Sequence, residues 1–129
     1  MTNKKYGIII NATGDVRVQS DKDKEIKYKF GTVKGVFTLL GDNYDSLKNI
    51  PDECKELVIS HSSKLTAISI PKVKINNGIL RLNFMKSIKK IDKLDDSVKS
   101  IRYAYLDNVD GIDFHDSCSK LEVKQEYIR

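Results

Sequence analysis

Apolar side chains recur along the second part of the chain at a fixed rhythm. Leu47-x2-Ile50-x3-Cys54-x2-Leu57-x-Ile59 is followed by Leu65-x2-Ile68 and Leu80-x-Leu82. The rhythm then returns as Ile88-x2-Ile91 with Val98-x2-Ile101-x-Tyr103, and as Val109-x2-Ile112 with Cys118-x2-Leu121-x-Val123. The copies begin at 47, 65, 88 and 109, so the steps are 18, 23 and 21 residues. Each alternating apolar pair predicts a short strand, which places strands at 56–60, 79–84, 100–105 and 120–124. A coil of this length cannot bury its own apolar side, so successive copies stack as parallel rungs. Leu57, Ile59, Leu80, Leu82, Ile101, Tyr103, Leu121 and Val123 are then expected to point inward.

The first 45 residues have a different texture. "YGIIIN" and "VRVQS" flank the turn residues "ATGD", and this pattern predicts a hairpin. In "EIKYKF" the alternation places Ile26, Tyr28 and Phe30 on one face and Lys27 and Lys29 in water. "GTVKG", with Gly31 and Gly35, then turns the chain into "VFTLLG". The expected fold is therefore mainly β: an antiparallel meander over 1–45 caps a solenoid of about four rungs over 46–124, followed by a tail over 125–129. All 129 residues form one domain, which is a usual size for a single core. A mixed-β domain with coincidental apolar spacing is the alternative. The last rung has no comparable cap. Either Tyr127 and Ile128 shield it, or a second subunit does, because a bare strand edge tends to pair.

Two pieces carry a resemblance. "KLTAISIPKVKI" and "VDGIDFHDSCSKLEV" are similar to the BspA-type class of leucine-rich repeats, also called leucine-rich repeat 5. "LKNIPDECKELVIS" is similar to repeats of bacterial effectors that carry a proline after the fourth position. Residues 47–123, about 60% of the chain, thus resemble a degenerate leucine-rich repeat array. The asparagine or cysteine usual in that family three places after the Leu-x-Leu pair is replaced here by Ser62, Met85, Leu106 and Glu126.

Charge and composition narrow the function. The net charge is +5 and 32% of residues are charged, but lysines alternate with acids, as in "SDKDKEIKYK", which describes a solvated face. No apolar run reaches the roughly 18 residues of a membrane span, and the opening lacks the apolar core of a secretory signal, so a cytoplasmic location without membrane contact is expected. The Asn11-Ala12-Thr13 triplet reads as a turn. A bias towards lysine, isoleucine and asparagine suggests AT-rich coding of the kind found in many phages and low-GC bacteria.

The chemically versatile residues fit no catalytic template. There is no G-x-S-x-G, no phosphate loop, no H-E-x-x-H and no G-x-G-x-x-G. Asp95 and Asp96 read as solvated neighbours. Asp113, His115, Asp116 and Cys118 include metal-ligand types, yet they form half a site with His61 remote. A calcium loop through Asp110 and Gly111 would need acids where Leu106 and Ser117 stand. Cys54 and Cys118 sit in the first and fourth copies, roughly 14 Å apart at rung spacing, too far for a disulfide. Both are expected to be reduced and buried. The chain is accordingly read as a non-enzyme with no catalytic residues, no cofactor and no metal.

What remains is a surface. The outward strip is expected to hold Glu56, Val58 and Ser60, then Arg81 and Asn83, Arg102 and Ala104, and Lys120, Glu122 and Lys124, with a basic far half. Phe84 and Tyr105 stand either at its rim or in the core. The favoured function is a protein-protein interaction module that binds another protein through Arg81, Asn83, Phe84, Arg102, Tyr105, Lys120 and Lys124. A phage or mobile-element factor covering a host protein would have this size. The alternative is nucleic-acid binding, with the same cations on phosphates and Tyr103 or Tyr105 stacked on bases. A homodimer through the C-terminal rung is the third partner expected.

Overall fold

In the computed structural model, which describes residues 8–126, the chain winds into a β-solenoid whose strands all pair in parallel. The first coil carries β1 (Ile9–Ala12) and β2 (Val16–Gln19), and the second carries β3 (Lys29–Val33) and β4 (Val36–Leu40). The third has β5 (Glu53–Cys54), β6 (Glu56–Ser60) and β7 (Ala67–Ile70). The fourth has β8 (Lys74–Ile75), β9 (Ile79–Asn83) and β10 (Lys90–Leu94). β11 (Ser100–Ala104) and β12 (Asp113–Phe114) make the fifth, and β13 (Glu122–Gln125) the last. The largest sheet has six strands in the order β13-β11-β9-β6-β4-β2. Sheets β1-β3-β5-β8 and β12-β10-β7 form the other walls.

The register shows why the coils stack. Val16, Phe37, Leu57, Leu80, Ile101 and Val123 stand in one column, so successive coils are 21, 20, 23, 21 and 22 residues long. Phe37, Leu57 and Leu80 are fully buried, as are Leu39, Ile59 and Leu82 in the next inward column. Full burial of such a side chain stabilises by about 2 kcal/mol, and no rung achieves it without a neighbour on each side. The apolar rhythm of residues 47–123 thus marks the core: Ile50, Cys54, Leu65, Ile68, Ile88, Ile91, Val98, Ile112 and Cys118 are all buried. Side chains bridge the corners. Asn11 Oδ1 accepts the Thr32 N–H at 2.8 Å, Asp15 Oδ1 the Val36 N–H at 2.8 Å, and Ser97 Oγ the Ile75 N–H at 2.8 Å.

Several expectations need correction. Short strands do occupy the first 45 residues, but they do not form an antiparallel meander. β1 pairs with β3 and β2 with β4, both in parallel, and β4 continues into β6. "ATGD" and "GTVKG" are corners that send the chain from one wall to another, so they resemble hairpin turns in composition while joining strands that never pair. The rungs of the largest sheet therefore number six rather than about four. Tyr28 precedes β3 and is 57% exposed, whereas Ile26 and Phe30 are buried. Phe84 and Tyr105 fall just outside their strands, and the last strand begins at Glu122 rather than 120. Its register also differs by two residues, since Val123 lies beside Ile101 and Gln125 beside Tyr103. A 3-10 turn over Asp116–Lys120 takes up the extra length. The tail residues Tyr127 and Ile128 lie outside the described residues.

Gly35 separates the two topologies experimentally. A Cβ there would lie 2.5 Å from the Gly14 carbonyl carbon and 2.6 Å from the Asp15 nitrogen, because coil one passes directly against it. Backbone cannot yield as a side-chain tip does, so Gly35→Ala is expected to lower unfolding free energy by about 1–3 kcal/mol in urea titration. A neutral substitution would be the result expected of an open hairpin turn.

Candidate interaction face

The six-stranded sheet turns one side to the core and the other to solvent. Its outward middle column runs Arg17, Thr38, Val58, Arg81, Arg102 and Lys124, one residue per rung. Arg81 and Arg102 are neighbours on adjacent strands, an arrangement that repels unless anions intervene. They do intervene. Arg81 Nε donates to Glu56 at 3.1 Å, its Nη1 donates to Glu126, and Arg102 Nη1 donates to the other Glu126 oxygen at 3.3 Å. Arg102 Nε reaches Ser100 Oγ at 3.3 Å, and Ser100 in turn donates to Glu122 at 2.9 Å. The hydrogen bond from Arg81 is the main cause that holds the Glu126 carboxyl below its ordinary range.

The expected basic strip is therefore an alternating one. Glu56 and Glu126 hold the two guanidinium groups of Arg81 and Arg102, while Glu122 accepts from Ser100 and Lys124 stands exposed beside them. The facing assignment holds for the arginines, which are partly exposed, while Ser60 and Ala104 on the same side are buried. Their short side chains lie below the level of the charged layer. Asn83 is half-buried, and Lys120 and Lys124 are exposed, Lys120 in the 3-10 turn rather than on a strand.

A second feature lies at the C-terminal ends of the strands. His61, Phe84 and Tyr105 follow β6, β9 and β11 in equivalent places, and their rings form one stack. His61 and Phe84 are 4.5 Å apart at 15°, and Phe84 and Tyr105 are 4.5 Å apart at 12°. All three have left-handed backbone, with φ of 62°, 55° and 54°. Bulky side chains seldom adopt this conformation, which costs each about 1–2 kcal/mol. Tyr105 is 55% exposed, Phe84 half-buried and His61 exposed. Phe84 and Tyr105 are among the contact residues expected from sequence, whereas His61 is expected only to be remote from the His115 cluster. The signal for it was present, as His61, Phe84 and Tyr105 each stand four residues after the first inward residue of their rung, Leu57, Leu80 and Ile101.

The thiols and the histidine cluster read differently. Cys54 and Cys118 are free and buried. Burial pushes Cys54 up to about 12 and also raises Cys118, which leans on the Asp92 carbonyl at 3.7 Å beside a hollow of about 290 Å³. Both are shielded rather than nucleophilic. His115 caps the 3-10 turn, its Nδ1 accepting the Ser117 N–H at 3.0 Å. Among the described residues no three His, Cys, Asp or Glu side chains gather in a metal-binding arrangement, and no helix is long and apolar enough to cross a membrane.

Comparison of the chain with protein-family models, with curated proteins and with solved structures finds no match.

Two outcomes follow from this face. Replacing Tyr105 by glycine relieves about 1–2 kcal/mol of backbone strain and forfeits a stacking contact worth about 0.5–1.5 kcal/mol, so stability should fall by no more than about 0.5 kcal/mol and rise by no more than about 1.5 kcal/mol in thermal or urea unfolding. A loss far beyond that would assign the stack to scaffold alone. Because the folded Glu126 carboxyl titrates below its unfolded value, its contribution is complete above the ordinary glutamate range and disappears as pH falls through the depressed one. Glu126→Gln should therefore cost a little stability at neutral pH, under about 1 kcal/mol for so exposed a pair, and nothing in strong acid. Urea midpoints across that pH range measure it.

Proposed function

We propose that the chain is a non-enzymatic protein-interaction module that engages another protein through the outward face of the six-stranded sheet and its aromatic rim. The observation that carries this reading is the exposed His61–Phe84–Tyr105 stack, held on strained backbone beside a layer of arginines. Strain of this kind concentrates at functional positions, and aromatic and arginine side chains dominate binding hot spots. The parallel ladder fixes the rings before any partner arrives, so little conformational entropy is lost on binding.

The charge pattern weighs against nucleic acid as the main partner. Glu56 and Glu126 already hold the guanidinium groups of Arg81 and Arg102, which interrupts a path for phosphates and suits a partner whose own charges alternate. A leucine-rich-repeat kinship, supported by the spacing of Leu47 to Val123, would agree with a binding scaffold. Two free, buried thiols support action in a reducing, cytoplasmic setting. A phage or mobile-element factor that covers a host protein is the kind of molecule this reading describes.

The test is affinity capture from lysate with and without nuclease at two salt concentrations, for the native chain and for Arg102→Gln with Tyr105→Ala. Glutamine is chosen because charge reversal at Arg102 would crowd a carboxylate against Glu126. The expected outcome is one protein retained after nuclease and at higher salt, and lost with the double variant while its circular dichroism is unchanged. Recovery of nucleic acid alone, lost as salt rises, would replace this reading with the nucleic-acid one.

A further inference from the structure

We propose that β13 pairs antiparallel with β13 of a second copy of this chain, about a two-fold axis through Val123. The six-stranded sheet ends at β13, and among the described residues nothing pairs with its outer edge. All four of its residues are exposed, including Val123 at 40%, although that side chain belongs to the inward column in which Leu80 and Ile101 are 0% and 1% exposed. Among the described residues, no further rung covers the apolar interior at this end.

The hydrogen-bonding pattern selects the register. Glu122 donates its N–H to the Lys99 carbonyl at 3.1 Å, and Glu126 donates to Tyr103 at 2.7 Å, so the residues at 122, 124 and 126 turn their peptide groups towards β11. Val123 and Gln125 turn theirs the other way, to the free edge. A sheet that continues across the axis must set inward residues beside inward residues. Registers centred on Glu122, Val123, Lys124 or Gln125 satisfy this requirement, and the one centred on Gln125 sets Lys124 against Glu126, whose carboxylate Arg81 and Arg102 already hold.

The register centred on Glu122 opposes two glutamates and the one centred on Lys124 opposes two lysines. Centring on Val123 lets the two copies exchange both N–H···O=C bonds of that residue, and it sets Glu122 across from the second copy's Lys124 twice. Glu-Val-Lys is self-complementary only in this arrangement. Head-to-tail growth, with β13 on the β2 edge of another copy, would instead continue the outward column from Lys124 to Arg17, placing like charges together.

Sedimentation velocity on the purified full chain, without any partner, tests this independently of the proposed function. A concentration-dependent equilibrium between monomer and dimer is expected. Val123→Pro removes an N–H that β11 does not use, so its circular dichroism should be native and its dimer lost. Glu122→Lys should weaken dimerisation about tenfold or more, and Glu122→Lys with Lys124→Glu should restore it. Monomer at every concentration, a dimer that survives Val123→Pro, or open-ended growth beyond the dimer would overturn the proposal. Should Val123→Pro fail to fold, the charge pair decides, and weakening without recovery in the double variant would overturn it as well.

Discussion

The structure depends on one coil lying in register on the next. No single coil has an interior; the interior is the sum of columns such as Phe37, Leu57, Leu80 and Ile101, each closed above and below by its neighbours. The parallel ladder enforces the repeat, because backbone hydrogen bonds fix the spacing and each inward position meets its counterpart at about 4.8 Å. A side chain placed on one rung therefore constrains what the adjacent rungs can carry.

That constraint acts differently on the two sides of the sheet. Inside, stacking like on like is favourable, and aliphatic columns repeat. Outside, stacking like charges is unfavourable, and Arg81 beside Arg102 is tolerated because Glu56 and Glu126 lie within hydrogen-bonding reach. At the corner after the strands, ring stacks on ring, and the repeated left-handed backbone of His61, Phe84 and Tyr105 shows that the register persists where its local cost is highest. At the corner beside this stack Met85 is buried, Leu106 is partly buried, and Ser62 is buried with no hydrogen-bond partner for its hydroxyl among the described residues. Packing rather than an amide ladder fills this corner.

The groups of this face are spaced by the ladder, and its two arginines are held by Glu56 and Glu126. The residues with chemical potential are used elsewhere in the fold: Cys54 and Cys118 fill the core, and His115 closes a turn. The end of the solenoid is the exception to this closure, since Val123 belongs to a core column but lacks a covering rung among the described residues.

The amino-acid sequence by itself determined the repeat from residue 47, the strand at 56–60, the inward identity of Leu57, Ile59, Leu80, Leu82 and Ile101, and the outward placement of Arg81 and Arg102. These follow from alternation and spacing, which are local. The parallel direction was legible from residue 47 but not in the first 45 residues, because "ATGD" and "GTVKG" have the composition of hairpin turns, and only the three-dimensional path shows that they join different walls. The spacing of Val16, Phe37 and Leu57 did carry the coil length, but it was masked by those turns. Tertiary structure also decided the last register, where the 3-10 turn at Asp116–Lys120 adds length that apolar spacing does not reveal. It decided the meeting of Glu126 with Arg81, 45 residues apart, and the stacking of three rings from separate coils. Such contacts depend on which rungs become neighbours, a property of the wound chain rather than of any segment within it.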